Sequence, residues 1–381
     1  MARTYLDHAS TTPARPEALA ALARWGTLPT GDPGRLHEEG RTIRDALETA
    51  RAQVADLLGV AARQVVFTSG GTEAINAAVW GATRAVPGAP VLCAAVEHSA
   101  VRDASARVAP TEEVGVDSAG RLDVDAVRAR LQANDLPRPA LVHCQWGNHE
   151  VGTLQPVHEV VGLCREAGVA VHVDAAAACG HVPTDLGALD ADLVSVSAHK
   201  LGGVPGAGAL IVRRGSRFDP LIVGGEQERG RRAGLEPIPA LLAFGAAAAA
   251  LVPGGGVIGA QATAARRHIA AVVEAALAVG GVEVVGPAAP ADRLPHLVCL
   301  GVHGVEAEPV LIGLDRAGVA VHSGSACSSE SIEPSPVLEA MGVDPSHSLR
   351  VSVGWTTTDA DCAAFAGAFT RVVADLRSLR G

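Results

Sequence analysis

Short runs of Val, Leu, Ile and Ala alternate along the chain with stretches whose apolar residues recur every three or four positions. The runs fall at 65–68 (VVFT), 90–96 (PVLCAAV), 140–146 (ALVHCQW), 169–174 (VAVHVD), 192–197 (DLVSVS) and 208–212 (GALIV). Strands that are apolar on both faces and separated by helix-length segments predict crossover units, and hence a mostly parallel sheet buried between helices. Helical spacing of Leu, Val and Ile is clearest at 123–134 and 157–167. The tetrapeptide PGGG at 253–256 is the sharpest break in the chain. Beyond it come a long Ala-rich helix, strands near 282–285 and 296–302, a helix near 306–317, a strand at 349–353 and a final helix from about Thr358. That order predicts a second unit of α+β type, within a protein that is α/β as a whole. There is no internal repeat, and no low-complexity tract beyond the alanines at 246–250.

Composition narrows the class. With 381 residues, 48% hydrophobic and 19% charged, the chain has the apolar surface for a sizeable core and is not of disordered type. Aromatic residues are only 3% while Gly and Pro number 43 and 23, which predicts tight loops and a core of Ala, Val and Leu. Lys and Arg total 31 against 41 Asp and Glu, a net charge of −10 that lacks the basic footprint of direct nucleic-acid binding. The opening residues do not form a basic and apolar leader, and no uncharged apolar run reaches the ~18 residues of a membrane span. The expected compartment is therefore the cytoplasm. The 7 Cys are scattered without a Cys-x-x-Cys pair or zinc-type spacing, so neither a disulfide framework nor a metal site is expected. In a reducing compartment a Cys with a role is a nucleophile.

Three segments carry candidate chemistry. SVSAHKLGG (195–203) places Lys200, the only lysine in the middle of the chain, after a buried strand and before a glycine loop. In an apolar setting such an amine loses its charge and can condense with an aldehyde. One strand earlier VAVHVD ends on Asp174, and a carboxylate at that edge can hold a pyridinium nitrogen protonated. SGGTEAIN (69–76) follows the strand at 65–68, and its glycines and Thr72 open a helix whose free N–H groups and dipole suit a phosphate. Singly, each has an ordinary reading as a surface lysine, a helix-capping Asp or a tight turn. In the order phosphate turn, Asp, Lys they form a minimum set for pyridoxal phosphate.

The same segments belong to a longer series: YLDHASTT (5–12), FTSGGTEAIN (67–76), VEHSAV (96–101), NHEVGT (148–153), HVDAAAACG (172–180), SVSAHK (195–200), GGEQERGRRAG (224–234), SGSACSSESIEPSPVLEAMG (323–342) and LRVSVG (349–354). On these motifs the chain resembles the class V, fold-type I pyridoxal phosphate enzymes, and within them the NifS/IscS-like cysteine desulfurases, over nearly its whole length. The resemblance implies a fold-type I transferase. Its large domain, 14–252, holds the cofactor on a mostly parallel seven-stranded sheet; its small α+β domain, 1–13 and 253–381, carries the nucleophile loop; and the molecule is a homodimer. Carried over residue by residue, it implies Lys200 as the Schiff-base lysine, Asp174 as the partner of the pyridine nitrogen, and His98 as the ring-stacking histidine that also moves protons. Gly71, Thr72, Ser197 and His199 fall around the phosphate. Asn148 and His149 fall where the family addresses the cofactor's phenolic oxygen, Arg350 on the clamp for the substrate α-carboxylate, and Asp32 beside that carboxylate, where the family has Asn. Cys327 falls on the sulfur-accepting nucleophile; the other Cys lie in apolar runs as buried filler.

The implied reaction converts L-cysteine to L-alanine, with the sulfur held as a persulfide on Cys327 and carried by a Ser/Gly loop to an acceptor protein. Several positions depart from the family. His149 replaces an Asn and Ala177 a Gln, so His149 is expected to fill the space and to donate to the phenolic oxygen; Leu235 replaces a Thr that in relatives reaches the phosphate across the dimer. Only 31 residues follow Arg350. These departures lean toward a dedicated sulfur donor, and among such donors the chain is most similar to the desulfurase of bacterial DNA phosphorothioate modification. The alternatives are an iron–sulfur assembly desulfurase, a selenocysteine lyase, and a non-catalytic partner protein on the same fold.

Overall fold

The computed structural model describes residues 3–27, 31–252, 257–323 and 334–379. Its strands are β1 (Thr4–Tyr5), β2 (Val65–Thr68), β3 (Val91–Ala94), β4 (Thr111–Val114), β5 (Leu141–Gln145), β6 (Ala170–Asp174), β7 (Leu193–Ser197), β8 (Gly208–Val212), β9 (Val282–Val285), β10 (Leu297–Val302), β11 (Val319–Ala320) and β12 (Ser348–Ser352). The helices are α1 (Pro16–Gly26), α2 (Glu38–Leu58), α3 (Gly71–Thr83), α4 (Ser99–Val108), α5 (Val124–Gln132), α6 (Val157–Ala167), α7 (Leu186–Leu189), α8 (Ile238–Leu251), α9 (Val257–Leu277), α10 (Ala307–Arg316), α11 (Pro336–Ala340) and α12 (Asp359–Ser378).

A seven-stranded sheet runs in the order β2-β8-β7-β6-β5-β3-β4. Its pairs are parallel except those of β8, which runs against both β2 and β7. Strands β2, β3, β5, β7 and β8 are buried at every position, as their mostly apolar runs predict. The apolar pattern does not reveal β4, whose sequence is TEEV. It lies at the sheet edge with its charged positions largely outward, where charge discourages pairing with another chain. One face of the sheet packs Phe67, Val173 and Val196 against Val54, Leu241 and Phe244 of α2 and α8. The other packs Val66, Leu141 and Leu210 against Ile75, Val79 and Val101 of α3 and α4. In the Ala-rich α8, Gly245 permits a close crossing: a Cβ there would lie 2.6 Å from the Ala50 Cα of α2.

A second core gathers Leu6, Ile269, Val272, Leu300, Val351, Phe365 and Phe369. It lies on the antiparallel sheet β12-β10-β9 and the parallel pair β1-β11, so the chain's first strand closes on elements more than three hundred residues later. Thr358 caps α12 by accepting from the Asp361 N–H. Among the described residues no helix is long and apolar enough to cross a membrane.

One buried ion pair fixes the strand that leads into the site. Arg51 of α2 donates to Glu228 Oε2 at 2.6 Å and Oε1 at 2.7 Å, and also to the Val65 carbonyl at 3.1 Å. Glu228 in turn accepts from the Phe67 N–H at 2.8 Å, although its backbone sits in the left-handed region at φ 50°. Helix α2, strand β2 and the loop at 224–234 are thereby joined by one carboxylate. Removing one partner of a buried pair strands the other charge. Glu228→Ala is expected to destabilise the fold by about 3–5 kcal/mol, read as a lowered midpoint in urea denaturation.

Candidate active site

The site forms where β2, β6 and β7 end. After Thr68 the chain turns through Ser69 and Gly70 into α3, and no side chain caps that helix. The turn is held from outside: Thr68 Oγ1 donates to the Gly70 carbonyl and the Ser69 N–H to Glu73 Oε2, both at 2.9 Å, and Arg232 Nε holds Glu73 at 2.9 Å. Gly208 of β8 passes so near that a Cβ would meet the Gly70 carbonyl carbon at 2.6 Å. Beside Gly71 stands Ser197, whose buried Oγ has no hydrogen-bond partner among the described residues. An uncapped helix N-terminus and an unpartnered buried hydroxyl make a set of donors without an acceptor, the chemistry that a phosphate satisfies. Thr72 is exposed in the first turn of α3, and His199, half-buried, is pushed down to about 4 by burial and by Lys200.

Asp174 ends β6 in register with Gln145 and Ser195. Its Oδ1 accepts from Ser195 Oγ and from the Ala176 N–H, each at 3.0 Å, which leaves Oδ2 as the oxygen for a further donor. Lys200 follows β7 in the short turn Ala198–Lys200 and is the only lysine in all 381 residues. Its carbonyl partners His181 Nε2 at 3.0 Å, and its charge bears on His98, His181, His199 and His296. His98 caps α4: its Nδ1 accepts from the Ala100 N–H at 3.1 Å, so the neutral ring carries its proton on Nε2. Burial first, then His149 and Lys200, push His98 down to about 3. His149 lies edge-on to it, with centroids 4.9 Å apart, and its Nε2 is 3.5 Å from Glu150 Oε1. Asn148 is turned elsewhere: Oδ1 accepts from the Glu150 and Val151 N–H groups at 2.8 Å and Nδ2 donates to the Val96 carbonyl at 3.2 Å. Its amide shapes the turn that presents His149.

Arg350 of β12 is buried and already partnered. It donates to the His149 carbonyl at 2.8 Å, Asp7 Oδ1 at 2.9 Å and Ser10 Oγ at 2.6 Å, while its Nε is buried without a partner. Asp32 shares none of these contacts. Its carboxylate accepts from the Gly34 N–H at 2.7 Å and pairs with Arg35 at 3.1 Å, beside a separate cavity of about 370 Å³ that includes Glu236 and Arg51. Sequence reasoning overlooked Asp7, the counter-ion of Arg350, whose signal was a lone acid in the apolar opening of YLDHASTT. It also overlooked Glu97 and Glu150. Glu97 is fully buried, accepts from the Gln145 N–H at 2.7 Å, and is pushed up to about 8 by burial and then by Asp174. Glu150 is held below the usual range: burial would raise it, but hydrogen bonds from His149 and Ser335 and the charge of Arg350 prevail.

Cys93, Cys144, Cys164, Cys179, Cys299 and Cys362 are free and buried, as their apolar surroundings predict. Burial pushes the first, third, fourth and fifth of these thiols up to about 12, Cys144 well above its ordinary value and Cys362 upward. Cys327 lies outside the described residues. After that segment the chain is anchored by Ser335, which caps α11 and donates to Glu150 Oε2 at 2.5 Å.

Among the described residues, seven histidines resist protonation, in each case chiefly through burial. His8, His172, His181 and His199 are pushed down to about 4, His98 to about 3, and His143 and His296 well below the usual range. In the unfolded chain they take up protons near pH 6.5, so between about pH 4 and 6.5 the unfolded state binds more. Stability therefore falls on acidification through that window, each histidine contributing up to about 1.4 kcal/mol per pH unit. Glu97 acts in the opposite direction, because the stability it confers below pH 4.5 is lost as the pH rises toward 8. The histidines outnumber it. The urea midpoint is expected to rise steadily from pH 4.5 to pH 6.5; a flat profile would contradict their neutrality.

The chain belongs to the aminotransferase class-V family, which residues 4–365 match. Within that family its relatives are cysteine desulfurases. The protein of that name from Cereibacter sphaeroides is 39% identical over 100% of this chain and 98% of its own, and that from Bradyrhizobium diazoefficiens is 40% identical over 89% and 86%. A solved NifS-like protein from Rickettsia africae superposes with a TM-score of 0.88 at 27% identity, covering 98% of this chain and 99% of that one. Members of the family use pyridoxal phosphate, and the unpartnered donors at Ser197 and α3, together with Asp174 Oδ2, fit that cofactor.

Proposed function

We propose that the protein is a cysteine desulfurase that converts L-cysteine to L-alanine and leaves the sulfur on Cys327 for an acceptor protein. The observation that carries this reading is the convergence of the chain's single lysine, Asp174, His98 and the uncapped α3 just beyond the ends of β2, β3, β6 and β7. In this reading Lys200 attaches the cofactor through its amine, Asp174 Oδ2 receives the pyridinium N–H, and Ser197, Gly71, Thr72 and His199 surround the phosphate. Bound there, pyridoxal phosphate supplies an electron sink for bonds broken at the substrate Cα. Arg350 turns its unpartnered Nε and a terminal nitrogen to the substrate carboxylate while Asp7 holds its plane. Neutral His98 hands on the proton at Nε2, and His149 donates to the phenolic oxygen. The Cys327 thiolate takes the substrate sulfur: an S–S bond forms as the Cβ–S bond breaks, and the electron pair left on Cβ takes a proton to become the methyl group of alanine. The buried position and raised pKa of the other six thiols support Cys327 as nucleophile.

The test is direct. Purified holoenzyme mixed with L-cysteine and a thiol reductant is expected to release sulfide and alanine in equal amounts; alanine without sulfide, or neither, would overturn the reading. We further infer a cytoplasmic homodimer that passes sulfur to a protein cysteine serving DNA phosphorothioation. The net charge of −10 supports a protein acceptor over direct transfer to DNA. A pull-down from the native cell should recover a DNA-modifying sulfurtransferase; an iron–sulfur scaffold as main partner would overturn that pathway.

A further inference from the structure

We propose that the end of the seven-stranded sheet opposite Lys200 carries a second binding site, for a small phosphate ester. A cavity of about 460 Å³ opens there, bounded by Ala170 and Leu193, where β6 and β7 begin, and by Arg213, just past the end of β8. Its volume is in the range of small-molecule sites. Four guanidiniums line it, those of Arg138, Arg165, Arg213 and Arg217, against two carboxylates, Asp190 and Asp192.

Both carboxylates are taken up by the protein itself. Asp190 is paired with Arg165 at 3.0 Å. Asp192 pairs with Arg213, accepts from Ser216 Oγ at 2.8 Å, and through Oδ2 accepts from the Val171 N–H at 3.1 Å. Two positive charges remain on the lining. Arg138 and Arg217 have no ion pair among the described residues. Arg213 Nε is buried without a hydrogen bond, with the nearest Asp190 oxygen 3.9 Å away.

The helix ends do not explain this charge. Helix α6 ends at the cavity, but its last carbonyls are met by the N–H of Gly168 in the left-handed conformation. Helix α3 ends nearby with the Arg84 N–H returning to Ala82 and Trp80. In a chain of net charge −10, two guanidiniums without ion pairs on one cavity lining match a dianion bound through charge-assisted, forked hydrogen bonds. The remaining wall is aliphatic, with Val86, Val161 and Val171 and no aromatic ring, so nothing there stacks a nucleobase. A phosphate on a short aliphatic or sugar body fits both halves of the lining.

The experiment uses the cofactor-loaded protein, so that the phosphate groove at α3 is already filled, and low ionic strength, because exposed guanidiniums are screened by salt. Calorimetric titrations with inorganic phosphate, glycerol 3-phosphate and glycerol are compared between the wild type and the double variant Arg138→Gln, Arg217→Gln. Both arginines are exposed, so the variant should fold and release sulfide at the wild-type rate. Saturable binding of both phosphates but not glycerol, weakened at least about tenfold in the variant, is the expected result. No saturable phosphate binding to the wild type, or equal affinity in the variant, would overturn the site. Neither outcome depends on the desulfurase reading, since the readout is binding.

Discussion

Lys200→Ala is expected to lower sulfide release by at least about three orders of magnitude while leaving the fold intact. The protein has no second lysine to take over, because its other basic residues are arginines, whose guanidinium does not condense with an aldehyde under these conditions. Borohydride reduction of the wild type followed by peptide mass spectrometry should find the cofactor on the peptide containing Lys200. The variant should give none. A reducible adduct of similar yield in the variant would move the attachment to the terminal amine and sink the assignment.

Cys327→Ser should be as damaging to turnover but at a different stage. Sulfide release is expected to fall at least about a thousandfold, with the cofactor still bound and its absorbance still changing on addition of L-cysteine. A hydroxyl in place of the thiolate cannot accept sulfur, whereas the cofactor contacts proposed above are Lys200, Asp174 and the α3 turn, none of which the substitution touches. The other six thiols offer no rescue, being buried and held protonated. Undiminished desulfurase activity would place the nucleophile elsewhere.

The parts of the fold that were legible in the sequence are those whose burial is uniform. The runs at 65–68 and 208–212 became β2 and β8 without a shift of boundary, because both faces are covered and every position but the terminal Thr68 is apolar or glycine. Strand β4 was illegible: an edge strand with charged positions has no alternation to read. Within the site, Lys200 and Asp174 could be found because Asp174 ends an apolar strand and Lys200 stands in the turn just after one. Asp7 could not, since its meaning comes from Arg350, 343 positions away, and only the bridge between the N-terminal segment and β12 brings them together. Asn148 shows the converse, a residue whose motif points to a ligand while its amide is occupied by the turn. Asp32, placed beside the substrate by its motif alone, is instead turned to Gly34 and Arg35.

The position of β8 between β2 and β7 sets a timetable for synthesis. The turn into α3 begins at Thr68, but its close neighbour is Gly208, on a strand translated 140 residues later, and its anchor through Phe67 is Glu228. Local helices can form as the chain leaves the ribosome; this turn cannot, because it waits for the longest-range pairing in the sheet. A nascent chain released before β8 has emerged therefore presents the glycine turn without its support, although the chain's single lysine, at residue 200, has already been made. Arg350 and its partner Asp7 come together only when the last strand is made. The support of the turn before α3 and the Asp7–Arg350 pair are thus completed in that order as the chain is made.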